Sequence, residues 1–183
     1  MKSLRGQLLV ATPQLPDENF YRTVVLLVEH TEDGALGVVL NRLANRSVAE
    51  LWQEVSDEDC DDPRPVNLGG PVSGPLIAIH TDERLAEMEV LPGVYLAAQK
   101  SHLDRLVAQN EHHYRVYLGH SGWGRGQLEG ELEQGAWLTT PATREYVFHD
   151  GDDLWETVAK HIGDAVLLES LRIKHVPRDP SLN

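Results

Sequence analysis

Four glycines fall within eight residues in the second half of this chain, and glycine tolerates positive φ and close backbone approach better than any other residue. They are Gly119, Gly122, Gly124 and Gly126. Residues 114–118 before them alternate in a β-prone pattern, whereas residues 127–133 after them carry leucines at helical spacing. The sequence therefore predicts a strand, a glycine-rich turn and a helix, with Trp123 partly exposed in the turn.

The glycine-rich turn has a structural and a ligand-binding interpretation. A turn between a strand and a helix can hold an anion with its backbone N–H groups, but the spacing here fits neither the dinucleotide-binding nor the Walker pattern. Glu129, Glu131 and Glu133 complement the dipole of the predicted helix and would repel a phosphate group. We therefore interpret the stretch first as a structural turn and second as a ligand or partner surface.

Two side chains in this stretch suggest a catalytic hypothesis. Ser121 does not fit the nucleophile-elbow pattern, because Trp123 stands where that pattern requires glycine. His120 could serve as a general acid or base, since the pKa of histidine lies near neutrality. Its candidate polar partners are Asp17, Glu29 and His30. A half-buried packing role for His120 is the favoured interpretation, and a hydrolase that uses it is the alternative.

A β-hairpin is the clearest local prediction. Residues 23–29 and 35–40 are β-prone, and Asp33-Gly34 suits the tip of the turn between them. The polar pairs Glu29-His30 and Asn41-Arg42 indicate turn capping and surface ion pairing, with a binding cleft at that sheet edge as the alternative. The candidate ligand or partner surface consists of Gly119, His120, Ser121, Gly122, Trp123, Gly124, Arg125, Glu29, His30, Asn41 and Arg42.

The remaining elements follow from apolar periodicity and capping signals. Further strands are predicted at residues 7–11, 66–68, 76–80, 94–98, 136–139 and 146–148. Ser47 and Glu50 form a capping-box pair at the start of one helix. Two more helices are predicted, one capped by Ser101 with Asp104 and one capped by Asp153 with Glu156 and ended by Gly163. Residues 177–183 are expected to be a frayed tail.

Charge and composition exclude several classes of function. The net charge is −13, and such a surface repels phosphate backbones and anionic lipids, so direct nucleic-acid or membrane binding is not expected. The single cysteine, Cys60, excludes an internal disulfide, and no apolar stretch approaches the ~20 residues that span a bilayer. Neither C-x-x-C nor H-E-x-x-H occurs. We expect a cytoplasmic protein with no metal and no cofactor.

Several segments also carry a resemblance. They are residues 8–13, 17–20, 28–30, 34–42, 69–72 and 122–132, followed by Ala136-Trp137-Leu138. In this order they resemble the YqgE/AlgH family of bacterial proteins over about residues 4–163. The sequence departs from the family pattern at His120, where an aromatic residue is usual, at residues 81–109 and in the tail at 164–183.

The resemblance implies an α+β fold whose mixed, largely antiparallel sheet forms a pseudo-barrel flanked by three or more helices. We expect a single domain over residues 1–183. The family is often labelled a transcriptional regulator, without an attached reaction or ligand. We therefore expect a non-enzymatic regulatory or binding protein that acts through an unidentified protein partner or a small molecule. The alternatives are the hydrolase at His120 and a transcriptional regulator that acts indirectly.

Overall fold

The computed structural model describes residues 2–15, 17–109 and 111–170, and the predicted frayed tail lies outside them. The strands are β1 (Gln7–Ala11), β2 (Val24–Thr31), β3 (Gly34–Val39), β4 (Leu43–Ser47), β5 (Pro65–Leu68), β6 (Ile77–His80), β7 (Met88–Leu91), β8 (Val94–Ala97), β9 (Tyr114–Leu118), β10 (Ser121–Gly124) and β11 (Trp137–Pro141). The helices are α1 (Val48–Val55), α2 (Lys100–Val107), α3 (Gln127–Glu133), α4 (Arg144–Val147) and α5 (Leu154–Ser170). Short 3-10 turns cover Glu18–Phe20 and Glu83–Leu85.

The strands divide between two sheets. The first sheet has the order β10-β3-β2-β1-β11, and its neighbouring strands are antiparallel. The second has the order β4-β5-β9-β6-β8-β7, in which β5 and β9 run parallel and the other neighbours run antiparallel. Residues 119–120 carry the chain directly from β9, inside the second sheet, to β10, at the edge of the first.

The first sheet is apolar on both faces because other elements cover both. Along β2, Leu26 packs with Ile79 of β6 in the core between the sheets, whereas Leu27 packs with Leu128 of α3 on the outer side. Side chains alternate between the two faces of a strand, so burial of both faces requires the continuous apolar run seen in β2. This explains why the predicted hairpin, now β2 and β3, could be recognised from sequence alone.

Helices complete the layers. Trp52 of α1 and Leu106 of α2 pack with Val116 of β9 on the outer face of the second sheet. Val147 of α4 and Leu154 of α5 join the core between the sheets. The predicted α+β class with largely antiparallel pairing and flanking helices is confirmed, and within the described residues the two sheets do not close into one barrel.

Helix starts illustrate which sequence signals hold. The capping box at α1 is confirmed, because Ser47 accepts from the N–H of Glu50 and the Glu50 carboxylate accepts from the N–H of Ser47. The predicted Ser101 cap of α2 is wrong, since the helix begins at Lys100. The Glu87 carboxylate accepts from the N–H groups of Ala98 at 3.1 Å and Gln99 at 2.9 Å, just before the helix, and no side-chain cap is seen at this start within the described residues.

Two predictions near the C-terminal end of the described chain are wrong. Residues 146–148 are not a strand, because the Thr143 hydroxyl accepts from the N–H of Tyr146 and starts the short helix α4. Gly163 does not end the last helix, which continues to Ser170. An interior glycine costs a helix only about 1 kcal/mol, and an α-helix can continue through it.

Candidate functional site

A cleft of about 610 Å³ opens at one end of the space between the two sheets. It is lined by residues 21–22 before β2, the connection from β3 to β4, strands β5 and β9, and residues 149–156 around the start of α5. Leu40 and Leu154, from the core between the sheets, and Val116, from the cluster on the outer face of the second sheet, form its apolar part. A volume of this size falls within the range of small-molecule sites.

Four arginines line the cleft, although Lys and Arg number only 16 in the chain. They are Arg22, Arg42, Arg64 and Arg115. Four carboxylates line it as well, from Asp62, Asp150, Asp152 and Glu156. The cleft is therefore close to neutral, whereas the whole chain carries a net charge of −13. An anion that enters the cleft therefore meets four guanidinium groups and less repulsion than the net charge of the chain implies.

Arg64 and Arg115 are fixed on the wall formed by the second sheet. Arg64 pairs with Asp62 at 2.7 Å, and its guanidinium lies 4.4 Å from the centre of the Tyr114 ring. Arg115 donates to the His149 carbonyl at 2.6 Å and to the Asp150 carboxylate at 2.8 Å. Stacking and bidentate pairing suit the planar guanidinium group and hold it in one orientation.

The carboxylate of Asp62 binds two side chains of this wall, the Arg64 guanidinium and the Tyr114 hydroxyl. Burial raises the pKa of a carboxyl group, but hydrogen bonds from Arg64 and Tyr114 outweigh burial and hold the pKa of Asp62 below its usual value. Burial, followed by the neighbouring Asp62 carboxylate, raises the pKa of Tyr114. Asp62 therefore remains ionised at neutral pH and Tyr114 remains protonated.

Arg22 lines the cleft just before β2, in a backbone conformation that is unusual for its type. Its φ is 51°, in the left-handed region, where a non-glycine residue is strained. The Asn41 side chain holds this conformation by donating to the Arg22 carbonyl at 2.8 Å and accepting from the Val24 N–H at 2.9 Å. The Arg22 guanidinium lies 4.7 Å from the centre of the Trp155 ring and pairs with Glu156.

Arg42 differs from the other three arginines of the cleft. It is half-buried and donates one hydrogen bond, of 2.5 Å, to the Tyr21 carbonyl. No carboxylate among the described residues pairs with it, whereas each of the other three has such a partner. Most of the donors of this guanidinium are therefore available to a ligand.

A buried amide lies beside Arg42 in the lining of the cleft. Asn67 is only 3% exposed, and its Oδ1 has no hydrogen-bond partner among the described residues. Asn67 pairs with Leu43 across strands β4 and β5, and the next residue, Leu68, donates its N–H to the Arg42 carbonyl. A buried polar atom without a partner is rare, because it costs about 1–3 kcal/mol.

The glycine-tryptophan segment has a structural role, as the favoured interpretation of the sequence held, but not as a turn. Residues 121–124 are not a turn but strand β10, which pairs with β3, and Trp123 is 5% exposed, so its predicted exposure is wrong. The indole N–H groups of Trp123 and Trp137 both donate to one oxygen of Glu131, at 2.9 and 2.8 Å. This carboxylate joins β10, α3 and β11.

Glycines in two segments allow the chain to contact itself closely. Residues 69–72 run along residues 118–121, and Val72 forms a two-way backbone bridge with His120. A Cβ on Gly69 would lie 2.3 Å from the Gly119 carbonyl oxygen, and one on Gly70 would lie 2.4 Å from that of His120. The glycines are therefore required by packing.

Neither of the two catalytic candidates in this segment lines the cleft. Ser121 is fully buried and its hydroxyl donates to the Gly69 carbonyl at 3.1 Å. No hydrogen bond joins the His120 ring to a carboxylate within the described part of the chain, and His120 does not line the cleft. Arg125 pairs with Asp33 at 2.7 Å on the surface.

The hairpin residues separate into two groups. His30 is buried, accepts from the Leu4 N–H and lies 2.9 Å from Glu129 of α3, which ties the hairpin to the outer helix. Glu29 is exposed beside it. Asn41 and Arg42, at the other end of β3, line the cleft. The candidate surface is thus divided, and the glycine segment is absent from the cleft lining.

Sequence reasoning named two cleft residues and missed the others that define its chemistry. The missed residues are Arg22, Arg64, Arg115 and Asn67. One signal was available, since Asn67 is an amide between Val66 and Leu68 in an otherwise apolar strand. The arginines could not be found in this way, because they come from distant parts of the chain.

The comparison with known families fits this architecture. The model of the AlgH-like family matches residues 8–166, which include both sheets and the whole cleft lining. The chain belongs to the AlgH-like family. A UPF0301 protein from Myxococcus xanthus is 40% identical over 168 residues, covering 89% of this chain and 93% of that protein. A UPF0301 protein from Chlorobium limicola is 35% identical, with coverage of 97% and 95%.

Two solved structures have the same fold as this AlgH-like chain. The solution structure of AlgH from Pseudomonas aeruginosa superposes with a TM-score of 0.73 at 30% identity, covering 97% of this chain and all of that one. A crystal structure from Corynebacterium diphtheriae gives the same TM-score at 24% identity and supports the fold alone. Across the described residues, no helix has the length and apolar character needed to cross a membrane, and no cluster of three or more metal-ligating side chains occurs.

Proposed function

We propose that this AlgH-like protein is a binding protein whose ligand is a small anion held in the cleft by Arg42. The observation that carries the proposal is the guanidinium of half-buried Arg42, which lines the cleft and has no carboxylate partner among the described residues. A guanidinium in a partly desolvated cleft attracts a carboxylate or phosphate strongly and can bind it in a bidentate manner.

The charge distribution favours a small ligand over a polymer. A nucleic acid would have to lie along a surface whose net charge is −13, whereas a small anion need only enter the cleft. If the protein regulates transcription, as the label of its family implies, we expect it to do so through the bound ligand and a protein partner. We do not expect it to contact DNA directly. The hydrolase hypothesis gains no support from His120, which lies outside the cleft lining.

A thermal-shift screen with small anions tests the proposal. The panel contains inorganic phosphate, di- and tricarboxylates, sugar phosphates and nucleotides, all as sodium salts at matched ionic strength. A ligand at 100 times its Kd adds roughly 2.7 kcal/mol to stability, which corresponds to a rise in Tm of roughly 5–10 °C for a chain of this size.

The matched variants are Arg42→Gln and Arg46→Gln. Arg46 lies four residues after Arg42, in β4 and outside the cleft lining, where it pairs with Glu54 at 2.9 Å. We expect the shift to disappear in Arg42→Gln and to persist in Arg46→Gln. A shift that survives Arg42→Gln, or no shift with any anion of the panel, would refute the proposal.

A further inference from the structure

Two arginines of the cleft present flat surfaces as well as charge. The Arg64 guanidinium stacks on Tyr114 and the Arg22 guanidinium stacks on Trp155. Their side chains remain 54% and 46% exposed. A guanidinium has two faces, and a protein ring covers one of them, so the opposite face is suited to a planar group of a ligand.

The side-chain oxygen of Asn67 lacks a hydrogen-bond donor among the described residues. Its Oδ1 has no partner, and its Nδ2 makes only a long hydrogen bond of 3.4 Å to the Val116 carbonyl. The terminal torsion of asparagine is soft, so the amide can turn toward a ligand in the cleft. An N–H group that reaches this oxygen would satisfy an acceptor that is otherwise buried without a partner.

We propose that the ligand of the cleft joins an anionic group to a planar ring that carries N–H groups, as a nucleoside monophosphate does. The anionic group binds Arg42, the ring stacks on the Arg64 guanidinium, and an N–H group of the ring donates to Asn67. This inference rests on the proposed function and adds a planar ring to the anionic group of the ligand. The cleft volume of about 610 Å³ accommodates a molecule of this size.

Isothermal titration calorimetry with matched probes tests the inference. The probes are AMP, GMP and UMP, with ribose 5-phosphate and inorganic phosphate as anions that lack the ring. We expect at least one nucleotide to bind tenfold or more tightly than ribose 5-phosphate. Binding of that nucleotide should weaken at least tenfold in Arg42→Gln, because the anion loses its guanidinium partner.

Two further variants separate ring recognition from anion binding. Asn67→Leu keeps the branched shape of the side chain and removes the unpartnered acceptor, so we expect an unchanged or higher Tm and about a tenfold loss of the nucleotide's advantage. Arg64→Lys keeps the positive charge and removes the flat surface, and should reduce the same advantage. Neither variant should alter the affinity for ribose 5-phosphate.

The outcomes distinguish this inference from the proposal on which it rests. If ribose 5-phosphate or phosphate binds as tightly as the nucleotides and still requires Arg42, the inference is overturned and the anion-binding function stands. If no nucleotide binds at millimolar concentration, the inference is overturned as well. Nucleotide binding that Asn67→Leu and Arg64→Lys leave unchanged would also overturn it.

Discussion

Replacement of Glu131 by alanine should destabilise the protein more than any other single change of a partly exposed carboxylate in α3. One carboxylate oxygen accepts the indole N–H groups of Trp123 and Trp137, at 2.9 and 2.8 Å, and the other accepts from Gln127. The two indoles are 5% and 3% exposed, so their N–H groups have little access to water once the carboxylate is removed.

The magnitude follows from these contacts. A hydrogen bond to a charged group contributes about 1.5–3 kcal/mol, and two are lost, but Glu131 is itself partly exposed and water can replace some of the interaction. We therefore expect a loss of about 3 kcal/mol in Glu131→Ala. For a chain of this length that corresponds to a fall in Tm of about 6–12 °C.

Urea unfolding followed by tryptophan fluorescence measures this loss directly, because the two indoles at stake are themselves reporters. Glu133→Ala is the matched control, since Glu133 is an exposed carboxylate in the same helix and should change stability by less than about 0.5 kcal/mol. Glu131→Gln keeps acceptor oxygen but no charge and should fall between the two. Equal stabilities for Glu131→Ala and Glu133→Ala would refute the role of this carboxylate.

Three further changes test buried polar groups. Tyr117→Phe removes a fully buried hydroxyl without a partner among the described residues, so calorimetry should show a stability gain of about 1 kcal/mol. Burial lowers the pKa of His80 to about 4, so the unfolded chain binds its proton first and stability falls as pH drops from about 6.5 to 4. His80→Leu should remove about 3 kcal/mol of that acid-dependent loss in urea titrations across this range. Asn41→Ala should cost about 2 kcal/mol in urea unfolding, because it frees the backbone groups around strained Arg22, whereas exposed Asn45→Ala should cost little.

Local signals in the sequence were sufficient for much of the fold. Strand β1, the hairpin of β2 and β3, and the capping box of Ser47 are set by residues close together in the chain, and the structure has them where the sequence predicts. Where a distant side chain supplies the interaction, the prediction failed. Asp104, assigned to the cap of α2, instead accepts from the Trp52 indole at 3.0 Å, and Glu87 accepts from the N–H of Gln99 just before that helix.

The cleft was harder to predict than the fold for the same physical reason. Strand β5 lies parallel to β9, with Asn67 beside Tyr117, a pairing that no local pattern indicates. Residues 21–22, before β2, and residues 149–156 meet these strands only when the two sheets pack together. Sequence alone placed Asn41 and Arg42 at the end of a strand but could not show what they face.

The two-residue passage from β9 to β10 has a consequence for how this protein opens. The connection formed by residues 119–120 is too short to let one sheet separate while the other stays intact. Strand β9 is an inner strand of the second sheet, and β10 is hydrogen-bonded to β3 in the first sheet. The sheets should therefore behave as one cooperative unit. Amide protons of β9 and β10 should exchange with solvent through the same rare, whole-molecule opening, so that the edge strand is protected as well as the interior one.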